Sequence, residues 1–247
     1  MLTPSSNTVL EPMAMEILRG VPQVSVHFSR LRVTQISLED SALRQFGIDA
    51  HLAAARLLAD ARVDVIGWNG TSASWTGFEG DERLCAEIER AHDVAATTAV
   101  LAINELLEIL KVRRFALVSP YLGAVQRRII ETYRHAGYEC VAERRFEEQV
   151  NYAFAEIEDV RIAEAVRQVS TAGPEAVVIM CTNLRSAHLV DALEAELGIP
   201  VLDSVAAFVW KAIRLCGIDT GAISGWGRLF GLEGSVRTER DQRGFDG

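Results

Sequence analysis

Two stretches of this chain repeat one another about 110 residues apart, a period well beyond the 20 to 50 residues of solenoid repeats. Residues 63–72 read VDVIGWNGTS and residues 177–185 read VVIMCTNLR. Each is an apolar, strand-favouring run that breaks into a polar turn and then into a helical pattern. Other segments fall into register with them. Leu2-Thr3-Pro4-Ser5 matches Val118-Ser119-Pro120-Tyr121, and residues 92–107 match 199–214, each a short lead, a turn and a long apolar helix. The repeat predicts an α/β protein of two pseudo-symmetric domains facing each other, each a parallel sheet flanked by helices. The expected division is 1–95 plus 206–247 for a discontinuous first domain and 96–205 for the second.

Parallel sheets bind ligands at the carboxyl ends of their strands. Those ends would bring Pro4 to Asn7, Gly70 to Ser72, Tyr121 and Cys181 around one cleft between the domains, which is the expected active site. Periodicity fills in the rest. Met1-Leu2-Thr3 is an abrupt strand stub, clipped or simply short. Residues 23–31, with Val24, Val26 and Phe28 alternating, predict a second strand; 49–61 and 81–91 predict helices. Residues 93–110 carry apolar positions at helical spacing, with the Thr97-Thr98 pair as the cap. In the second cycle 114–119 and 140–142 read as strands, and 123–135, 157–170, 186–197 and 206–215 as helices. The charged end, 233–247, is expected to fray.

Composition narrows the function classes. A net charge of −9 and a pI near 5.1 oppose a nucleic-acid footprint, which needs a clustered basic face. No apolar run reaches the roughly 18 residues of a membrane span, and the expected address is the cytoplasm. Four cysteines at 85, 140, 181 and 216 show neither CxxC spacing nor a disulfide framework, and the five histidines form no HExxH pair. No metal or organic cofactor is therefore expected. Cys85, Cys140 and Cys216 read as packing residues. Cys181 stands apart, at the end of a buried strand and ahead of a helix start, where free N–H groups favour a thiolate or a carboxylate.

Five motifs in order, PSSNT (4–8), GTS (70–72), VSPY (118–121), CTNLR (181–185) and GWGRLF (225–230), resemble the aspartate/glutamate racemase superfamily, most closely its maleate cis-trans isomerase and arylmalonate decarboxylase branch. The resemblance spans nearly the whole chain. It implies a cofactor-independent enzyme acting on a small dicarboxylate, as a monomer or small homo-oligomer. Racemases and isomerases of this superfamily carry a cysteine in each half, one thiolate removing a proton while the opposite thiol returns one. Here Gly70 stands at the first position. Glycine before Thr-Ser with cysteine in the second half resembles the arylmalonate decarboxylases.

The resemblance then implies decarboxylation of a malonate-type acid to an enediolate, with Thr71, Ser72 and Tyr121 as oxyanion donors and Cys181 as proton donor. Each preorganised donor of that kind lowers a barrier by roughly 3 kcal/mol. Trp68, Trp75 and Phe78 are candidates to desolvate the departing carboxylate. Gly70 is expected either because the turn needs positive φ or because a group lies close to the backbone. Ser6, Asn7, Asn151, Thr182 and Asn183 are candidate substrate-binding residues, and their polarity resembles the isomerases. For Asn7 and Asn183, turn formation and helix capping are the competing reading. Maleate isomerisation, racemisation and non-catalytic dicarboxylate binding are the alternatives.

Overall fold

The computed structural model describes residues 1–232; the charged end from residue 233, expected to fray, lies outside the described residues. Among the described residues eight short strands form two parallel four-stranded sheets. The first contains β1 (Leu2–Pro4), β2 (Ser29–Leu31), β3 (Val65–Trp68) and β4 (Ala95–Thr98) in the order β2-β1-β3-β4. The second contains β5 (Arg114–Ser119), β6 (Glu139–Arg145), β7 (Ala176–Ile179) and β8 (Val201–Asp203) in the order β6-β5-β7-β8. The same order occurs twice, as the repeat requires. All four residues of β7, Ala-Val-Val-Ile, are buried, because helices cover a parallel sheet on both faces and leave no polar side to alternate with.

Two expected elements come out differently. Of residues 23–31 only Ser29–Leu31 form a strand, in register with Leu2–Pro4 of β1, while upstream of it a single contact, from the Met1 amino group to His27 O, continues the pairing. The expected helix over 93–110 is a strand followed by a helix. Asp93 takes the left-handed conformation that ends the preceding helix (φ 50°), Ala95–Thr98 pair with β3 over their whole length, and Thr98 then caps the helix Ala99–Ile109 by accepting from the Leu101 N–H. A division at residue 95 thus cuts a strand of the first sheet. In the second half Asp203 plays the part of Thr98, its carboxylate accepting from the Val205 and Ala206 N–H groups to start the helix Ser204–Leu215. That helix packs on Ala99–Ile109 and on Leu10–Ile17, and so returns the chain to the first half.

Backbone hydrogen bonds join the two halves near the carboxyl ends of their strands. Ile36 N–H donates to Gln149 O and Asn151 N–H to Thr34 O, around an antiparallel bridge between Gln35 and Val150. No helix among the described residues is long and apolar enough to cross a membrane.

Candidate active site

Cys181 follows the buried strand β7 and lies in the core at 2 % exposure. Its backbone N–H donates to Ser204 Oγ at 3.2 Å, and that hydroxyl donates to Ile179 O at 2.7 Å, so the turn is tied to the start of the next helix. The thiol receives the Asn183 backbone N–H at 3.3 Å, with the Leu184 N–H and the Tyr121 hydroxyl also directed at it. Burial nevertheless dominates, pushing the Cys181 thiol up to about 12. At neutral pH the group is a neutral thiol, able to give a proton and poorly suited to attack as a thiolate.

Three buried hydroxyls come from the other motifs, and Tyr121 brings one of them to the thiol. Tyr121, at the turn after β5, holds its hydroxyl 2.7 Å from Thr71 Oγ1, and burial raises its pKa well above the ordinary tyrosine value. Ser72, next to Thr71, accepts the Trp68 indole N–H at 3.2 Å. Thr71, Ser72 and Tyr121 are all buried. The aromatic wall is built on Tyr121, which meets Trp75 edge-on at 5.2 Å and Phe154 at 5.6 Å. Phe78 is not part of it: its ring packs on Tyr133 at 5.2 Å.

Gly70 is explained by a neighbour rather than by its backbone angle, since it is absent from the glycines at positive φ. A Cβ built there would collide with Cζ2 and Cε2 of the Trp68 indole and stand 2.9 Å from Cη2. A side chain at 70 is excluded by the tryptophan two residues before it.

The five candidate binding residues form a seam between the halves. Asn7 uses its side-chain carbonyl to accept from the Val9 and Leu10 N–H groups at the helix start, and its amide donates to Thr182 Oγ1 at 3.1 Å. Thr182 in turn donates to Asn69 O at 3.2 Å. Asn183 accepts from the Thr8 and Val9 N–H groups and donates to Asn151 O at 2.5 Å. Asn151 donates to Ser6 Oγ at 2.8 Å. The capping reading of Asn7 therefore holds, and the asparagines are engaged with the protein itself.

Of the other cysteines, Cys85 is buried and Cys140 half-buried, but Cys216 is exposed where the helix Ser204–Leu215 ends, so the packing reading fails there. Among the described residues no three His, Cys, Asp or Glu side chains are grouped to hold a metal ion. Sequence reasoning passed over Ser204, Asn69 and Phe154. For Ser204 a signal existed: it follows a capping Asp203 at a strand end, the place Thr98 has in the first half.

The family model described as arylmalonate decarboxylase matches residues 22–230. The maleate isomerase of Pseudomonas putida is 26% identical over 225 residues, spanning 86% of this chain and 89% of that protein. The arylmalonate decarboxylase of Bordetella bronchiseptica is 27% identical over 179 residues, 71% of this chain and 75% of the other. Among solved structures, the maleate isomerase Iso of Pseudomonas putida S16 superposes with a TM-score of 0.83 at 25% identity, covering 93% of this chain and 96% of that one.

Proposed function

The chain belongs to the arylmalonate decarboxylase family, and from that premise we propose that it is a cofactor-independent lyase that removes carbon dioxide from a malonate-type dicarboxylic acid. The observation that carries the reading is the asymmetry of the two half-sites: a protonated, buried thiol at Cys181 on one side, and Gly70 closed over by Trp68 on the other. The bond from the α-carbon to one carboxylate breaks, carbon dioxide leaves, and the electron pair passes into the remaining carboxylate as an enediolate. Thr71, Ser72 and Tyr121 donate hydrogen bonds to its oxygens, where preorganised donors act most strongly. The Cys181 thiol then gives its proton to the α-carbon from one face. The resulting thiolate is held by the Asn183 and Leu184 N–H groups until solvent reprotonates it.

Cis–trans isomerisation of maleate is the second reading, favoured by the maleate isomerases among the relatives. It lacks a nucleophile in the first half, where Gly70 stands, and the asparagines that suggested it are occupied in the seam. The test is incubation with a panel of substituted malonates, maleate and amino acids in deuterium oxide. Carbon dioxide release with deuterium at the new C–H bond supports the lyase; fumarate from maleate supports the isomerase. No turnover with tight binding of a diacid leaves a binding protein.

A further inference from the structure

We propose that Trp68 is a positioning residue that defines the first half of the site: its indole occupies the space of a side chain at 70, and its N–H holds Ser72 as an acceptor so that the Ser72 proton is left for the ligand. The inference rests on the reading of Thr71, Ser72 and Tyr121 as anion donors, and assigns the residue that aims one of them.

Trp68 is the last residue of β3 and is 1 % exposed. Its side chain doubles forward over the turn, against the Gly70 backbone, to reach Ser72 Oγ at 3.2 Å. The ring is fixed from the other side by His51, which meets it edge-on with 4.6 Å between centroids and is itself anchored through Nδ1 to Gly47 O at 3.0 Å. An indole nitrogen donates and cannot accept. The Ser72 hydroxyl, having one proton, must direct it away from Trp68, and among the described residues that proton has no acceptor. A buried donor without a partner is unfavourable until something anionic arrives. The same ring keeps any second acid off position 70, so protonation is confined to the Cys181 face.

Three measurements decide it. In the 1H–15N spectrum of the intact protein, the Trp68 indole resonance should shift and its proton exchange faster in Ser72→Ala; an unchanged resonance overturns the hydrogen bond. Gly70→Ala should melt well below wild type, and Trp68→Phe/Gly70→Ala should recover part of that loss relative to Trp68→Phe; a Gly70→Ala variant as stable as wild type overturns the steric half. On the diacid that proves to be turned over, Trp68→Phe and Ser72→Ala should each lower kcat by about 10²-fold with KM little changed. The double variant should be no slower than the slower single one, whereas multiplicative losses overturn the coupling. The spectrum and the Gly70→Ala melt need neither substrate nor a folded Trp68 variant. They stand or fall separately from the decarboxylase reading, which the substrate panel tests.

Discussion

The hydroxyls of Thr71 and Tyr121 come from opposite halves of the molecule and stand 2.7 Å apart. One proton lies between them, and the Tyr121 hydroxyl also reaches the Cys181 thiol. Tyr121 thus links Thr71 of the first half to the neighbourhood of Cys181 in the second.

Replacing Tyr121 with Phe keeps the ring against Trp75 and Phe154 and removes only the oxygen. We expect kcat to fall by about 10²- to 10³-fold, the usual loss of one preorganised oxyanion donor, with KM within a few-fold of wild type. Steady-state kinetics on the accepted diacid check this. A loss carried by KM alone would make Tyr121 a binding residue.

Cys181→Ser should lower turnover by several orders of magnitude while leaving diacid affinity intact, because a serine hydroxyl is a far weaker acid than the thiol it replaces. Calorimetric titration of the variant separates the two effects.

The thiol's pH behaviour gives an independent check. A group pushed up to about 12 stays protonated across the neutral and mildly alkaline range. Activity that depends on it as an acid should show no alkaline decline assignable to Cys181 below about pH 10. Alkylation of Cys181 by iodoacetamide should rise about tenfold per pH unit over the same range without a plateau, as the thiolate fraction does. A plateau near pH 8 would contradict the assignment.

Asp81 supplies a stability prediction. It is buried in the helix Glu79–His92, and burial pushes its carboxyl up to about 7, with the Thr98 hydroxyl opposing the shift and Glu82 adding to it. In the unfolded chain the group titrates near 3.8. Between about pH 4 and 7 the unfolded chain has released this proton and the folded one has kept it, so stability falls as pH rises through that window and levels off above it. Asp81→Asn removes the dependence. The variant's advantage over wild type should therefore grow from near zero at about pH 4 to a few kcal/mol at about pH 8, because each tenfold difference in proton affinity between the folded and unfolded chains is worth ~1.4 kcal/mol. Urea unfolding at both ends of the window reads it.

Asn183→Ala should destabilise the protein by about 2 to 4 kcal/mol. It strips the side-chain acceptor from the Thr8 and Val9 N–H groups and the donor from Asn151 O, all in a buried seam. Urea unfolding measures the loss, and a change below about 0.5 kcal/mol, the range of ordinary surface substitutions, would mean water replaces these bonds freely.

Much of this was legible in the sequence because the repeat says the same thing twice. The apolar runs at 63–66 and 177–180 read as strands, found one or two residues shifted at Val65–Trp68 and Ala176–Ile179, and the residues just after them share the carboxyl ends of parallel sheets. β4 was hidden because Ala-Ala-Thr-Thr joins smoothly to the apolar spacing of the following helix; the signal against a continuous helix was Asp93, a residue tolerant of the left-handed conformation. The strand expected over 23–31 came out short because alternation of Val24, Val26 and Phe28 says nothing of which residues find a paired neighbour, and only Ser29–Leu31 register with β1. The role of Asn183 was open because capping and ligand binding ask for the same side chain. Trp68 over Gly70 had no sequence signature: which way a large side chain leans at a strand end is a matter of packing, and only its neighbours decide it.

Cys181, Thr71, Ser72 and Tyr121 are all buried, and the seam of asparagines lies where the two halves meet. Asn7, Thr182 and Asn183 bridge the two halves beside that buried set. On the proposed reading a diacid that enters by a parting of the two sheets would meet a ceiling on turnover set by the frequency of that event, however fast the bond-breaking step runs. Solvent viscosity and small changes in seam hydrogen bonding would then alter turnover without touching the chemistry.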